Sequence, residues 1–507
     1  MNRVDFLLEA EWLWMNKLHT EKGFVSCQRA LIVIMLIGMN RKHRKTRIIC
    51  TLGPATESDE VLEALILAGA NVFRLNMSHA QHEWVRDICP RIRAISDRLS
   101  SHTAILCDLQ GPSIRTGDLD APLDLKKGDV VEFRKRDAEA TVPLSTTVNY
   151  GGLMEDVSEG NRLIVDNGGF LMMIKEVREN SILCEVETGG EMGSRRHINL
   201  PGVRLNLPAL TKKDHEDLTL ACEVGCDFIA GSFVRDADHV RQLRAAMIEK
   251  GGNAQIVSKI EDQEAVKNID DIITESDVIM VARGDLGIEV NIEELPIIQR
   301  KIIKRCLRLG TRVIVATHML ESMITNPLPT RAEVTDVSNA VFEEADAVML
   351  SGETSVGKYP VECVEILDRI SNRIERSGGM GYGEDALLRT ERQKTVRSAV
   401  QLVDSIPDAR LVVFTRRGFM PVQAALLRPH SRIYAFAPEA SLCRKVSFGR
   451  GVTARRIDFG DTPEDTLERA VEMLKREHDV EPGTPLVVIS DMVQKGSVID
   501  AVLLIHA

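Results

Sequence analysis

Lys259 and Glu261 stand two residues apart at the end of an apolar run, AQIVSKIE (254–261). On a strand, residues at that spacing face the same side. Glu261 and, further along, Asp285 are hard oxygen donors with no His or Cys beside them, a set that suits Mg²⁺ or Mn²⁺ rather than zinc. An ammonium next to a metal carboxylate fits a phosphoryl group in transit, and Arg74 offers a second positive clamp. Gly284 allows backbone N–H groups to approach a ligand carboxylate, helped by the Thr317 hydroxyl. The ligand so implied carries a phosphate and a carboxylate and is bound through a divalent metal.

Each of these residues alone has a plainer reading. A Lys–Glu pair at a strand end is usually a rim ion pair, Ser and Thr at strand ends often cap loops, and Arg74 could serve a structural salt bridge. The elements that must position them argue otherwise. Eight β-branched runs recur along the chain: TRIICTL (46–52), NVFRLN (71–76), TAILCDL (103–109), DFIAGSF (227–233), AQIVSKIE (254–261), DVIMVAR (277–283), RVIVATH (312–318) and AVMLSGE (347–353). Most are separated by helical patterns such as Ile292 to Leu309, which predicts a TIM (β/α)8 barrel. Barrel chemistry gathers where strands end at the C-terminal face. There the chain places Arg74, Asn76, Ser78, Asp108, Ser232, Lys259, Glu261, Gly284, Asp285, Thr317, Ser351 and Glu353. The joint pattern is what makes the plainer reading untenable.

The gap between the third and fourth runs is not helical. DVVEFR (129–134), RLIVDNG (162–168), LMMIKEV (171–177) and SILCEVET (181–188) predict a small all-β lid inserted in a barrel loop. A Gly-rich stretch, Ser377 to Gly383, predicts a linker. Beyond it LVVFT (411–415), IYAFA (433–437) and PLVVIS (485–490), with a helix at 462–477 opened by Thr462 and Pro463, predict an open α/β domain. The expected division is therefore 44–112 with 206–376 as catalytic barrel, 113–205 as lid and 384–507 as C-terminal domain. Residues 1–43 form an extension. Its apolar run, Ala30 to Met39, is too short to span a bilayer, and its basic cluster follows rather than precedes that run. Either it is a helix packed on the body or the native start is Met39, and we expect the latter. Thr330 with Glu333 three residues later predicts a capping box, and His79 and His318 read as isolated hydrogen-bonding histidines.

Composition narrows the classes. The 64 Lys and Arg against 75 Asp and Glu leave a net charge of −11, and aromatics make up 4%, which disfavours a nucleic-acid binder. Ten cysteines form no framework beyond the neighbours Cys222 and Cys226, so free thiols and a cytoplasmic setting are expected.

KTRIICTLGPAT (45–56), NVFRLNMSH (71–79), GPSIRTG (111–117), VSKIED (257–262), VARGDLGIEV (281–290), the stretch 317–341 and DAVMLSGETSVGKYP (346–360) resemble the pyruvate kinase family. The motifs run in family order from about residue 44 to the end and are less specific in the last 120 residues. The resemblance implies a soluble, homotetrameric phosphotransferase of glycolysis that moves a phosphoryl group from phosphoenolpyruvate to ADP, giving pyruvate and ATP. It implies that Arg74 contacts substrate, that Lys259 stabilises the transferring phosphoryl, and that Glu261 and Asp285 hold Mg²⁺. Gly284, Asp285 and Thr317 would seat the substrate carboxylate. Asn76, Met77, Ser78, His79, Arg115 and Arg196 match nucleotide contacts. Asn76, Ser78, Asp108 and the Leu109 carbonyl match a K⁺ site, and Ser351 and Glu353 match a route that protonates the enolate.

Some positions depart from the pattern. Potassium-requiring members have Thr-Lys-Gly-Pro-Glu after the aspartate, whereas here Leu109, Gln110, Gly111, Pro112 and Ser113 follow Asp108. Leu-Gln resembles the potassium-independent branch, but that branch carries Lys where Ser113 stands, so potassium dependence is left open. Asn167 replaces a lid aspartate, Arg195 and Arg196 replace lysines, and His318 replaces a common Gln. After the strand at 411–415, a Ser/Thr-rich effector turn is replaced by Thr415, Arg416, Arg417, Gly418 and Phe419, which predicts no activation by fructose 1,6-bisphosphate. Two other readings remain: a barrel lyase acting on C–C bonds of phosphoenolpyruvate- or pyruvate-derived acids, and a non-catalytic metabolite-binding relative.

Overall fold

A computed structural model describes residues 44–494 and 497–507, with side chains at 491–499 excepted. The expectation for the N-terminal extension lies outside the described residues. Eight parallel strands close into a barrel: Arg47–Thr51, Val72–Asn76, Ala104–Asp108, Phe228–Gly231, Gln255–Ile260, Val278–Ala282, Arg312–Ala316 and Ala347–Leu350. Each falls within one of the eight β-branched runs. Their side chains are buried on both faces, as parallel strands covered by helices must be.

The intervening helices carry explicit start and stop signals. Ser58 caps Asp59–Ala68 by accepting from the Val61 N–H, and Gly69 at φ 117 ends it. Thr211 with Asp214 and Thr330 with Glu333 form capping boxes, the second as expected.

Between the third and fourth barrel strands, the lid forms a seven-stranded sheet and a separate two-stranded ribbon around its own apolar cluster. The four lid strands expected are present, joined by shorter ones such as Ile114–Arg115 and His197–Asn199. These last two pair antiparallel and sit where the lid's ends enter the barrel.

The C-terminal sheet is ordered Val452–Arg456, Ile433–Ala437, Arg410–Phe414, Pro485–Gln494, Ser497–His506, with only the last pair antiparallel. The first and last of these five strands were not anticipated. The helix Pro463–Arg476 begins as expected, with the Thr462 hydroxyl accepting from Asp465 N. The Gly-rich stretch ends in ordered structure, since Tyr382 is buried and its N–H donates to Glu344 at 3.0 Å.

The barrel axis is filled by Ile49, Val72, Leu106, Phe228, Val257, Met280 and Ile314 among others, and Phe448 joins that cluster from the C-terminal part. Arg312, almost wholly buried, packs beside the touching Phe228 and Phe448 rings, with its guanidinium carbon 5.9 and 5.3 Å from their centroids. Among the described residues, every cysteine is a free thiol and no helix is long and apolar enough to cross a membrane.

Candidate active site

Under the lid, at the C-terminal mouth of the barrel, is a cavity of about 440 Å³. Arg74, Asn76, Ser78, His79, Leu109, Arg115, Arg196, Ser232, Lys259, Glu261 and Asp285 line it, gathered from strand ends and from the lid. At its floor Lys259 Nζ stands 2.7 Å from Ser232 Oγ, 2.9 Å from Glu261 Oε1 and 3.5 Å from Asp108 Oδ1. Burial works against the ammonium, but Asp108 and Glu261 more than offset it and hold Lys259 above its ordinary pKa. Arg74 donates to Asp108 at 2.7 Å and to Thr51 Oγ1 at 3.0 Å. Burial would raise the Asp108 carboxyl, yet Lys259 and Arg74 keep it below the usual range. Asp108 is thus the shared anion that fixes both cations, lying behind the cavity wall rather than in it.

Glu261 has the opposite character. Burial pushes its carboxyl up to about 7, and the charge of Asp285 acts in the same direction against Lys259. One oxygen, Oε2, accepts the Phe233 N–H at 2.6 Å. The other, Oε1, is buried and accepts no well-angled hydrogen bond despite its 2.9 Å approach to Lys259. An under-satisfied buried carboxylate oxygen in a cavity shared with Asp285 is what a hard divalent cation would complete. Among the described residues no group of three or more His, Cys, Asp or Glu is placed to hold a metal. Two protein carboxylates would therefore leave the remaining coordination to ligand or water oxygens. The donor set fits Mg²⁺.

The substrate-side residues are organised by neighbours that the sequence reading missed. Thr317 and His318 adopt left-handed backbone, φ 69 and 55, unusual outside glycine. Arg283 holds that turn, donating to the Ala316 carbonyl at 3.2 Å and the Thr317 carbonyl at 2.6 Å while paired with Asp336 at 2.7 Å. The Gly284 N–H donates to Thr317 Oγ1 at 2.7 Å, and a Cβ at residue 284 would stand 3.5 Å in front of that hydroxyl. Gly111 at φ 72 admits no side chain, because a Cβ there would lie 2.7 Å from the Ser232 Cβ. Its N–H is held by Asp214, the residue that also closes the capping box on Thr211.

Of the other candidates, Met77, Ser351 and Glu353 lie off the cavity lining, while Asn76, Ser78, Leu109, Arg115 and Arg196 line it with some of their polar groups already engaged by protein partners. Met77 is buried, and its carbonyl accepts from Lys213 at 2.7 Å. The Leu109 carbonyl accepts from Ser232 Oγ at 2.7 Å, and Asn76 Oδ1 from the Ser78 N–H at 3.2 Å. Glu353 is fully buried and accepts the Leu320 and Ser351 N–H groups at 3.0 and 2.7 Å, so it shapes two loops. Ser351 Oγ is buried without a partner. Arg115 reaches the Ser113 hydroxyl at 3.3 Å, and Arg196 pairs with Asp166 at 3.3 Å.

Fold and site together define a lidded (β/α)8-barrel enzyme with a cationic and acidic pocket at the strand ends. Models of the pyruvate kinase barrel domain and of the pyruvate kinase alpha/beta domain match residues 43–364 and 393–500. The chain is 36% identical to pyruvate kinase of Clostridium perfringens, over 88% of this chain and 96% of that one. It is 38% identical to plastidial pyruvate kinase 2 of Arabidopsis thaliana, over 89% and 78% respectively. A crystal structure of a pyruvate kinase from Cryptosporidium parvum superposes with a TM-score of 0.86 at 31% identity, covering 91% of this chain and 96% of that one. This chain belongs to the pyruvate kinase family.

Proposed function

We propose that the chain transfers the phosphoryl group of phosphoenolpyruvate to ADP, giving pyruvate and ATP. The observation that carries this reading is the placement of Lys259 among Ser232, Asp108 and Glu261 at the floor of a cavity that also collects Arg74 and Asp285. The barrel (44–112 and 206–376), lid (113–205) and C-terminal part (384–507) are proposed as the domains, from the sheets their strands join.

Phosphoryl transfer asks mainly for positioning and for positive charge where oxygens gain negative charge. Lys259, kept protonated by its acidic neighbours, supplies a fixed ammonium to the phosphoryl oxygens and then to the enolate oxygen left behind. Arg74 stands beside it as the second cation. Glu261 and Asp285 would hold the divalent metal, which when bound adds positive charge to phosphate and carboxylate oxygens. Gly284, Asp285 and Thr317 would seat the substrate carboxylate on a turn that Arg283 keeps rigid. Arg115, Arg196 and the loop Asn76 to His79 would meet the nucleotide from the rim. Ser351 and Glu353 would serve the enolate's protonation by shaping the loops at the eighth strand. The K⁺ site implied for the family would comprise Asn76, Ser78, Asp108 and the Leu109 carbonyl. Family resemblance supports a homotetramer, and the cysteines, all free where described, are compatible with the cytoplasm.

One assay tests the reading: pyruvate formation from phosphoenolpyruvate with and without ADP, and with and without Mg²⁺. Dependence on both is expected. ADP-independent turnover in the intact chain would point instead to the C–C lyase alternative, and no turnover to a binding relative.

A further inference from the structure

The rings of His197 and Phe233 meet across the root of the lid, centroids 5.8 Å apart and planes tilted by 54°. His197 lies on the lid strand His197–Asn199, and Phe233 lies in the loop after the fourth barrel strand. In front of this pair is the 440 Å³ cavity of Lys259, Glu261 and Asp285. Behind it is a second cavity of about 250 Å³, bounded by Leu205, Leu207, Arg235, Asn199 and Glu289. His197 and Phe233 line both spaces, as do Ser113 and Glu261, so the two rings belong to the wall that the cavities share.

The partition is held from both sides. Phe233 adopts φ 55, a strained conformation for an aromatic residue, and in return its N–H reaches Glu261 Oε2 at 2.6 Å. Its ring edge would stand 3.1 Å from a Cβ at Gly111, so it rests against that loop. His197 is clamped by strand pairing with Arg115, and its carbonyl accepts the Asp166 N–H at 3.0 Å. The rear cavity is polar enough to hold water: Asn199 Oδ1 is buried there without a partner, and Arg235 and Glu289 border it.

We infer that His197 is a positioning residue for the transfer step, its ring seated on Phe233 to shut rear-cavity water off from the phosphoryl group. This rests on the proposed function. Without the ring, water could compete with ADP. Its oxygen would bond to phosphorus as the bond to the enol oxygen breaks, its proton would pass to solvent, and the enolate would take a proton on carbon. Pyruvate and inorganic phosphate would then form with no nucleotide present.

The experiment compares the intact chain with His197→Ala and His197→Phe. It measures phosphate released from phosphoenolpyruvate with Mg²⁺ and no ADP, relative to pyruvate formed with ADP. His197→Ala is expected to raise that ratio at least tenfold, and His197→Phe, which keeps a ring against Phe233, to stay within about twofold of wild type. A merely structural role would lower both rates together and leave the ratio unmoved. Should His197→Ala not fold, Phe233→Leu thins the same contact from the barrel side and carries the same expectation. A wild-type ratio in the thinned variant, or a leak in His197→Phe equal to that in His197→Ala, overturns the inference. A wild type that makes no pyruvate with ADP fails the functional reading and takes the inference with it.

Discussion

Lys259 Nζ and Glu261 Oε1 lie 2.9 Å apart, their side chains 12% and 1% exposed, yet the two groups are driven in opposite senses. The ammonium is stabilised in its charged form, while the carboxyl is pushed up to about 7 and carries an oxygen left under-satisfied. The pair is a site waiting for oppositely charged company: oxygens of a phosphate for Lys259 and a cation for Glu261.

Lys259→Met removes the fixed ammonium but leaves Asp108 paired with Arg74 at 2.7 Å. The expected result is a fall in kcat of several orders of magnitude with a thermal midpoint close to wild type. Steady-state kinetics beside a melting curve checks both, and near-normal kcat would remove Lys259 from its role.

Arg428 and Asp346 form a bidentate pair at 2.9 Å with side chains 4% and 0% exposed, joining the C-terminal part to the barrel. Arg428→Met leaves a buried carboxylate with the Val313 N–H as its remaining partner of that set. A loss of about 3–5 kcal/mol is expected. Urea unfolding followed by circular dichroism reads it, and an unshifted midpoint would show that the pair is dispensable.

His102 gives a pH signature. Burial, helped by Arg455 and Arg444, depresses its pKa from 6.5 to about 4. Between those values the unfolded chain binds the proton and the folded chain does not, so stability is fully present above pH 6.5 and declines as pH falls toward 4. The slope from this one group approaches about 1.4 kcal/mol per pH unit. Across that window wild type should lose stability relative to His102→Gln as the pH falls, read from melting curves of both, and parallel curves would exclude the effect.

Fructose 1,6-bisphosphate is expected to leave the half-saturating phosphoenolpyruvate concentration unchanged. In the turn after Arg410–Phe414, the Thr415 hydroxyl is occupied by the Gly418 N–H at 2.8 Å, and the Arg416 guanidinium stacks 4.6 Å from the Phe459 ring centre. Substrate titrations with and without the sugar phosphate decide the matter. A tenfold fall would refute it.

The barrel was legible because parallel strands buried on both faces are near-continuous apolar runs, and all eight are dominated by buried apolar residues, with polar breaks such as Arg74 and Lys259. Lys259, Glu261, Asp285 and Arg74 were legible as strand-end polar residues, and they share one cavity. The C-terminal strand Val452–Arg456 was not, since its two arginines and alternating exposure give little apolar signal. Phe233 was equally hidden: one more apolar letter in DFIAGSF, its importance lies in a backbone angle that composition does not encode. Asp214 carried no signal in the sequence reading, although it holds the Gly111 N–H across a distance of 103 residues in sequence. Contacts of this kind depend on which loops the closed barrel brings together, and no local spacing announces them.

Phe448 has an implication for dissecting this chain. Because a residue from the last part of the polypeptide completes the apolar column inside the barrel, cutting the chain after the eighth strand would leave a cylinder missing its floor. Arg312 would then stand in an open hole with one of its two aromatic neighbours gone. The final third of the sequence is in this sense a stopper as much as an appendage, and chimeras that exchange it must bring a bung of the same shape.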